Sequence, residues 1–277
     1  TLKSEKVIYD CLKSINETIP IIIVENSNNQ KFKSDVESKY TNVRCILSNS
    51  NLGMGAGNNI GIKECKTDYV FIINPDVVLE TDTIDQLIES SKYINDFSII
   101  APITSDTKYP NYKILKKSNL KEKNLPFKVD YVDGFAMLLN KKKFTNDLYF
   151  DENFFLYLEN NDLCLRVSNK GGSILIIPNA KITHGGSKAV DPIFKSEVEL
   201  SRNWHWMWSK FYFNKKNFGF FRAIIECFPG YISSIFKFIF YFFTNNQSKK
   251  KICFNRISGF YNALLNKPSW YRPKIND

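Results

Sequence analysis

Four stretches of this 277-residue chain carry side chains whose type and placement could do chemistry. Asn74-Pro75-Asp76 follows directly on the apolar run Tyr69 to Ile73, which puts Asp76 at the carboxyl end of a parallel strand, where α/β folds bind ligands. A carboxylate there can hold a divalent cation against a diphosphate, although Asn-Pro and Pro-Asp are equally ordinary turn dipeptides. Gly53-Met54-Gly55-Ala56-Gly57-Asn58-Asn59 joins a strand to a helix, so backbone N–H groups could approach a ligand near the positive helix end. It lacks the Lys-Ser/Thr of a P-loop and the spacing of a dinucleotide fingerprint, and alone it reads as a tight packing turn. Glu159-Asn160-Asn161-Asp162 sets acids at a loop-to-helix junction beside Phe154, Phe155 and Tyr157. An apolar wall of that kind can raise a carboxyl toward the range of a general base, whereas capping by Asn160 or Asn161 with Asp162 in the first turn explains the same residues. His184, before Gly185-Gly186 and one of two histidines, could complete a metal site with carboxylates, or be a structural or surface residue.

These residues need a framework, and the apolar pattern supplies one. Val7, Ile8, Cys11, Leu12 and Ile15 follow helical spacing, and Ile21 to Val24 fits a buried parallel strand. The alternation continues with a strand at Val43 to Leu47, the glycine loop at Asn51 to Gly57, a helix to about Cys65, a strand at Tyr69 to Ile73, a helix at Thr83 to Ser91 and a strand at Ser98 to Ile103. Thr104 to Lys128, polar and broken by Pro110 and Pro126, reads as a long loop over the sheet. Tyr131 to Asn140 then reads as a strand, Asn161 to Lys170 as a helix closed by Gly171-Gly172, and Ser173 to Ile177 as a further strand, with the domain finishing near Ser187. The fold expected is α/β: a doubly wound, mostly parallel sheet with helices on both faces.

Charge separates this domain from the rest of the chain. The net charge is +10, yet the first 200 residues hold 25 basic against 26 acidic side chains, and the tail from Ser201 holds 13 against 2. The tail also has 22 of the 41 aromatics and all four tryptophans, Trp204, Trp206, Trp208 and Trp270, a mixture that suits an anionic membrane surface or a nucleic-acid strand. Its apolar run Tyr231 to Phe243 is 13 residues long, short of the about 20 needed to span a bilayer, so an interfacial helix is expected. Aromatic runs such as Phe238 to Phe243 must be buried or in lipid, which ranks nucleic acid below membrane. Six scattered cysteines without a C-x-x-C pair read as reduced core thiols, and the polar start Thr1 to Lys6 is not that of a signal peptide, so a cytoplasmic chain is expected.

In order, Val24-Glu25-Asn26, Asn51-Leu52-Gly53 through Asn59, Asn74-Pro75-Asp76-Val77, Phe155-Leu156-Tyr157-Leu158-Glu159 through Arg166, and His184-Gly185-Gly186 form a distinctive combination. It resembles the family 2, GT-A fold glycosyltransferases of the rhamnosyltransferase-like group that build bacterial surface polysaccharides such as O-antigen. The resemblance runs over roughly Thr1 to Ser187, and the tail looks like the membrane-proximal end of such enzymes. It implies a transferase domain over 1–190, with the first strand trimmed ahead of Thr1, and a basic, aromatic membrane-association region over 191–277.

What the resemblance implies chemically is inverting transfer from a nucleotide diphosphate sugar, dTDP-rhamnose or a UDP-hexose, to a lipid-linked or surface-polysaccharide acceptor, with Mg2+ or Mn2+ stabilising the leaving diphosphate. It places Thr1, Glu25, Asn26, Asn51, Gly53, Asn58, Asn74, Asp76 and Asp133 around the donor, with Asp76 and His184 as metal ligands. Asp133 reads equally as a strand-end turn acid. Where the family has a Glu-Asp catalytic pair this chain has Glu159-Asn160, and an amide accepts no proton near neutral pH. Either Glu159 or Asp162 is then the base, or the chain is an impaired relative that binds nucleotide sugar or tethers an assembly complex. The expected setting is peripheral, on the inner face of the plasma membrane, with self-association through the tail helices left open.

Overall fold

The computed structural model describes residues 1–94, 96–106, 108–115, 125–186 and 189–275. The chain forms two compact units, one of Thr1–Leu52, Ala56–Asp151 and Asn160–Asp191, the other of Gly53–Gly55, Glu152–Glu159 and Pro192–Asp277.

The first unit is α/β. Its elements in chain order are α1 (Ile8–Lys13), β1 (Ile21–Glu25), α2 (Gln30–Lys39), β2 (Val43–Leu47), α3 (Met54–Glu64), β3 (Tyr69–Ile73), β4 (Val77–Leu79), α4 (Thr83–Tyr93) and β5 (Ile99–Thr104). The two-residue strands β6 (Tyr112–Lys113), β7 (Phe127–Lys128) and β8 (Tyr131–Val132) lead to β9 (Ala136–Asn140), α5 (Glu159–Asn169) and β10 (Ile174–His184). β1 pairs in parallel with β2 from Ile21↔Val43 to Glu25↔Leu47. The main sheet runs β3-β9-β5-β10-β4, with β5 parallel to β10 and β9 antiparallel to both β3 and β5. β3, β5 and β10 therefore share one direction, as the α/β reading expected, while β9 is reversed between two of them.

Burial on both faces explains the near-continuous apolar strands. Ile99, Ala101, Met137, Leu139, Ile174 and Ile176 enter one core, and the alternate residues Ile100, Leu138, Leu175 and Ile177 enter another with Leu87 of α4 and Phe97. Several elements differ from the sequence expectation. The glycine loop ends early, because the helix already starts at Met54 and takes in Gly55 and Gly57. The strand expected over Tyr131 to Asn140 is broken at 133–135, where Gly134 and Phe135 turn the chain. α2 was not expected, since it buries only Phe32 and Val36. β10 does not stop at Ile177: a register shift between Ile177 and Lys181 carries it on to His184. Of the loop expected over 104–128, residues 107 and 116–124 lie outside the described ones, as does Ser187.

The second unit is helical: α6 (Lys195–Phe218), α7 (Phe220–Phe243) and α8 (Gln247–Leu264). Its core is Trp204, Met207, Trp208, Phe211, Ala223, Cys227, Phe260 and Ala263. The tryptophans thus divide. Trp204 and Trp208 are buried, with indole N–H groups donating to Ser258 Oγ at 3.1 Å and Lys267 O at 2.9 Å, so they belong to a core and not to a membrane or nucleic-acid surface. Only Trp206 and Trp270 are exposed. α7 is also longer than the 13-residue apolar run, since Glu226, Pro229 and Gly230 lie inside the helix and do not end it.

α8 crosses α6 closely at one glycine. A Cβ on Gly259 would stand 2.1 Å from the Trp204 carbonyl oxygen, a main-chain atom that moves only with its helix. Alanine favours an exposed helix over glycine by about 1 kcal/mol, but separating the two backbones costs more. Gly259→Ala is expected to lose roughly 1–3 kcal/mol in urea denaturation; stability equal to or above the parent's would show that the helices part freely.

Candidate active site

Asp76 lies with Pro75 at the centre of the turn that follows β3, closed by the Val77 N–H donating to Asn74 O at 3.2 Å, and the fold brings His184 to it. β10 pairs with β4 so that His184 lies opposite Val77, and the Gly185 N–H donates to the Asp76 carbonyl at 2.8 Å. His184 Nε2 is 3.5 Å from Asp76 Oδ1, and the imidazole stacks on Phe135 with ring centres 4.0 Å apart. The Asn74 N–H donates to Phe135 O at 2.9 Å, which ties the turn to the residue that supports the imidazole. Asp76 is buried, and neither carboxylate oxygen has a hydrogen-bond partner among the described residues. Asp133 precedes the turn at Gly134 and Phe135, its carboxyl raised above the usual range by desolvation, with the charge of His184 opposing the rise. Cys11 faces Asn74 from the other side, and burial, with Asp76 adding to it, pushes its thiol up to about 12, so it stays protonated. Phe135 was not singled out from sequence, and only its place two residues after Asp133 marked it.

A second group gathers at the end of β1. Glu25 is buried, and its carboxylate accepts from the N–H of Ser27 at 2.9 Å and of Asn29 at 2.8 Å, while Asn29 Oδ1 caps α2 through the Phe32 N–H. Both Glu25 oxygens thus shape the turn into α2. Asn26 accepts from Ser48 Oγ at 3.1 Å and the Leu52 N–H at 3.3 Å, and its own N–H donates to Thr1 O at 2.9 Å. Asn51, half-buried, precedes Leu52, and Asn58 on α3 has a buried amide nitrogen without a hydrogen-bond partner among the described residues. In the helical unit, Gly53 has φ +86°, and a Cβ there would stand 2.2 Å from Phe155 O, the oxygen that accepts the Met54 N–H at 3.1 Å.

The three candidates for the base are not equivalent. Asp162 is fully buried, and Oδ2 accepts from Arg166 Nε at 2.9 Å, one helical turn on. Arg166 also donates to the carbonyls of Leu148 and Tyr149, so this pair fastens the chain entering α5. Asn160 Nδ2 donates to Val132 O at 2.8 Å. Glu159 opens α5, is buried, and has Oε2 without a hydrogen-bond partner among the described residues. Burial pushes its carboxyl up to about 7, only partly offset by a hydrogen bond from its own backbone.

A divalent cation suits the first group. Among the described residues no set of three or more His, Cys, Asp and Glu could enclose an ion. Asp76 and His184 instead offer two adjacent ligands, one a buried carboxylate with no hydrogen-bond partner among the described residues.

The α/β unit has a GT-A-like fold. The chain belongs to glycosyl transferase family 2, whose family model matches residues 1–148. It is 25% identical over 218 residues to the low-salt glycan biosynthesis hexosyltransferase Agl10 of Haloferax volcanii, covering 72% of this chain and 66% of the relative, just under two thirds of that protein's length. It is 21% identical over 205 residues to the N-acetylglucosaminyl-diphospho-decaprenol L-rhamnosyltransferase of Mycobacterium tuberculosis, covering 60% of this chain and 66% of the relative. In fold it is similar to S. aureus TarS 1-349 in complex with UDP-GlcNAc, with a TM-score of 0.53 at 14% identity over 98% of this chain and 91% of that one.

Proposed function

We propose that this chain is an inverting glycosyltransferase that moves a rhamnosyl or hexosyl group from a dTDP- or UDP-sugar to a lipid-linked or surface-polysaccharide acceptor. The observation that carries the reading is the buried Asp76 carboxylate, which among the described residues has no partner but His184, 3.5 Å away at the end of β10. The names of the decaprenol and hexosyltransferase relatives favour the substrate class. Asp76 and His184 would hold Mg2+ or Mn2+, with Asn74, Asp133, Asn26 and Asn58 near the donor. Such an ion, when bound, neutralises charge developing on the departing diphosphate. Glu159 accepts the proton of an acceptor hydroxyl while that oxygen forms its bond to the anomeric carbon and the bond to the diphosphate oxygen breaks. A carboxyl held near 7 suits this work at neutral pH.

The decisive test is a transfer and donor-hydrolysis screen with UDP-glucose, UDP-GlcNAc and dTDP-rhamnose, comparing the parent, Asp76→Ala and Asn160→Asp. Turnover by the parent, lost in Asp76→Ala, is expected. Donor binding without turnover, with activity only in Asn160→Asp, would replace this reading with that of an impaired relative.

The region from residue 191 is proposed to rest on the inner face of the plasma membrane. α7 is the one helix among the described residues long and apolar enough to cross a membrane. Its Ala223, Cys227 and Ser234 are nevertheless buried, while Phe221, Ile225, Phe228, Phe236, Ile239 and Phe243 are exposed. One buried side and one apolar exposed side favour a helix lying in the interface, with Lys249, Lys250 and Lys251 of α8 at the headgroups. Replacing the three lysines by glutamine is expected to weaken binding to anionic vesicles by about 100-fold, at about 1 kcal/mol each. Equal partitioning of parent and variant would sink the placement, and concentration-dependent self-association lost on Phe221→Ser would give the face to a second copy.

A further inference from the structure

The loop Glu152–Leu158 delivers Glu159 to the start of α5, and it is held from far along the chain. Two of its residues, Tyr157 (φ +71°) and Leu158 (φ +67°), are consecutive non-glycine residues in the left-handed region. Such backbone persists only where its surroundings fix it. Ser209 of α6, fully buried, donates its Oγ to Leu156 O at 2.7 Å. Ser269 donates its Oγ to Asn153 O at 2.6 Å. The Arg272 guanidinium lies 3.9 Å over the Phe155 ring. On Phe155 also lies His205, ring centres 4.5 Å apart, and His205 Nε2 is 2.8 Å from Tyr271 O. Trp206 meets Tyr157 edge-on at 5.6 Å. The same Phe155 accepts the Met54 N–H through its carbonyl, so one residue joins the glycine turn at 53–55 to the loop of Glu159.

We propose that the C-terminal segment Ser269–Arg272, with Ser209 and His205 of α6, is a clamp that positions Glu159 and, through Phe155, holds the Gly53–Met54 turn in register with it. The proposal rests on Glu159 being the base. It makes Ser269 and Arg272, more than 100 residues from Glu159 in sequence, positioning residues of the transfer reaction. None of them needs to touch substrate.

The full chain and its Ser269→Ala, Arg272→Ala and Arg272→Lys variants would be compared by hydrogen exchange with mass spectrometry and by steady-state kinetics on the donor that the screen identifies. In the two alanine variants, exchange is expected to rise in peptides covering 152–159 and at Met54 while that of α7 and α8 is unchanged. Turnover is expected to fall between about 10- and 100-fold, the scale of a displacement of about 1 Å in a catalytic group, with donor KM within about twofold. Arg272→Lys, which keeps a cation over the Phe155 ring, is expected to recover most of the loss. Unchanged exchange at 152–159, a uniform rise across α6, α7 and α8, or parent turnover despite a loosened loop would overturn the clamp. Parent activity in Glu159→Gln would instead remove the functional reading, and the exchange data would still decide whether the clamp exists.

Discussion

Asp76→Ala is expected to lower sugar transfer by about 1,000-fold or more and, in the same protein, to raise the melting temperature measured without divalent metal. Both effects follow from one geometry. The buried Asp76 carboxylate has no hydrogen-bond partner among the described residues and only the His184 imidazole 3.5 Å away; each unsatisfied group costs about 1–3 kcal/mol, and removing it relieves that cost. A buried carboxylate left without a hydrogen-bond donor by the protein around it is well suited to binding a cation. Adding Mg2+ or Mn2+ to the parent should therefore raise its melting temperature, by the equivalent of about 2.7 kcal/mol at 100 times the dissociation constant, and leave Asp76→Ala unmoved. His184→Ala, which keeps the carboxylate, should respond only at higher metal concentration. A parent whose melting temperature ignores both ions, and whose turnover persists in chelator, would show that Asp76 serves the donor in another way.

Much of the framework could be read from the chain because its strands are buried on both faces. β3 falls at Tyr69–Ile73, as its unbroken apolar run requires, and β2 at Val43–Leu47 although the exposed Arg44 interrupts the apolar run there. What periodicity missed was set by pairing over long distances. His184 meets Asp76 because β10 shifts register past Ile177 and then continues against β4, a three-residue strand with no signal of its own. Tryptophans that composition could place at a surface are drawn into the helical core because each buried indole finds an acceptor, Ser258 Oγ for Trp204 and Lys267 O for Trp208. Glu159 and Asp162 are chemically alike in sequence and part company only when Arg166, one turn on, occupies Asp162. Of the two, Glu159 is the acid with an oxygen lacking a hydrogen-bond partner among the described residues, a distinction no spacing rule carries.

Glu159→Gln is expected to abolish transfer and, above about pH 7, to leave the folded chain more stable than the parent. Burial lifts the Glu159 carboxyl from its ordinary 4.5 to about 7, so between those values the folded chain keeps a proton that the unfolded chain gives up. The stability of the parent therefore falls as pH rises through this window, by up to about 3 kcal/mol once the folded carboxyl has ionised, and the contribution is complete only below 4.5. Glutamine has no proton to lose and lacks that slope. Urea denaturation at about pH 5 and about pH 8.5 should show the two proteins nearly matched at the lower pH and the variant ahead at the higher. Over the same interval parent turnover should climb with an apparent pKa of about 7, because only the ionised carboxylate can take the acceptor's proton. A stability difference equal at both pH values would mean that the carboxyl is not desolvated, and transfer surviving in Glu159→Gln would move the base elsewhere. If both expectations hold, the burial that weakens the fold at neutral pH is the same burial that tunes the base, and restoring the acid at Asn160 would place a second carboxylate beside Glu159 and push its proton affinity higher still.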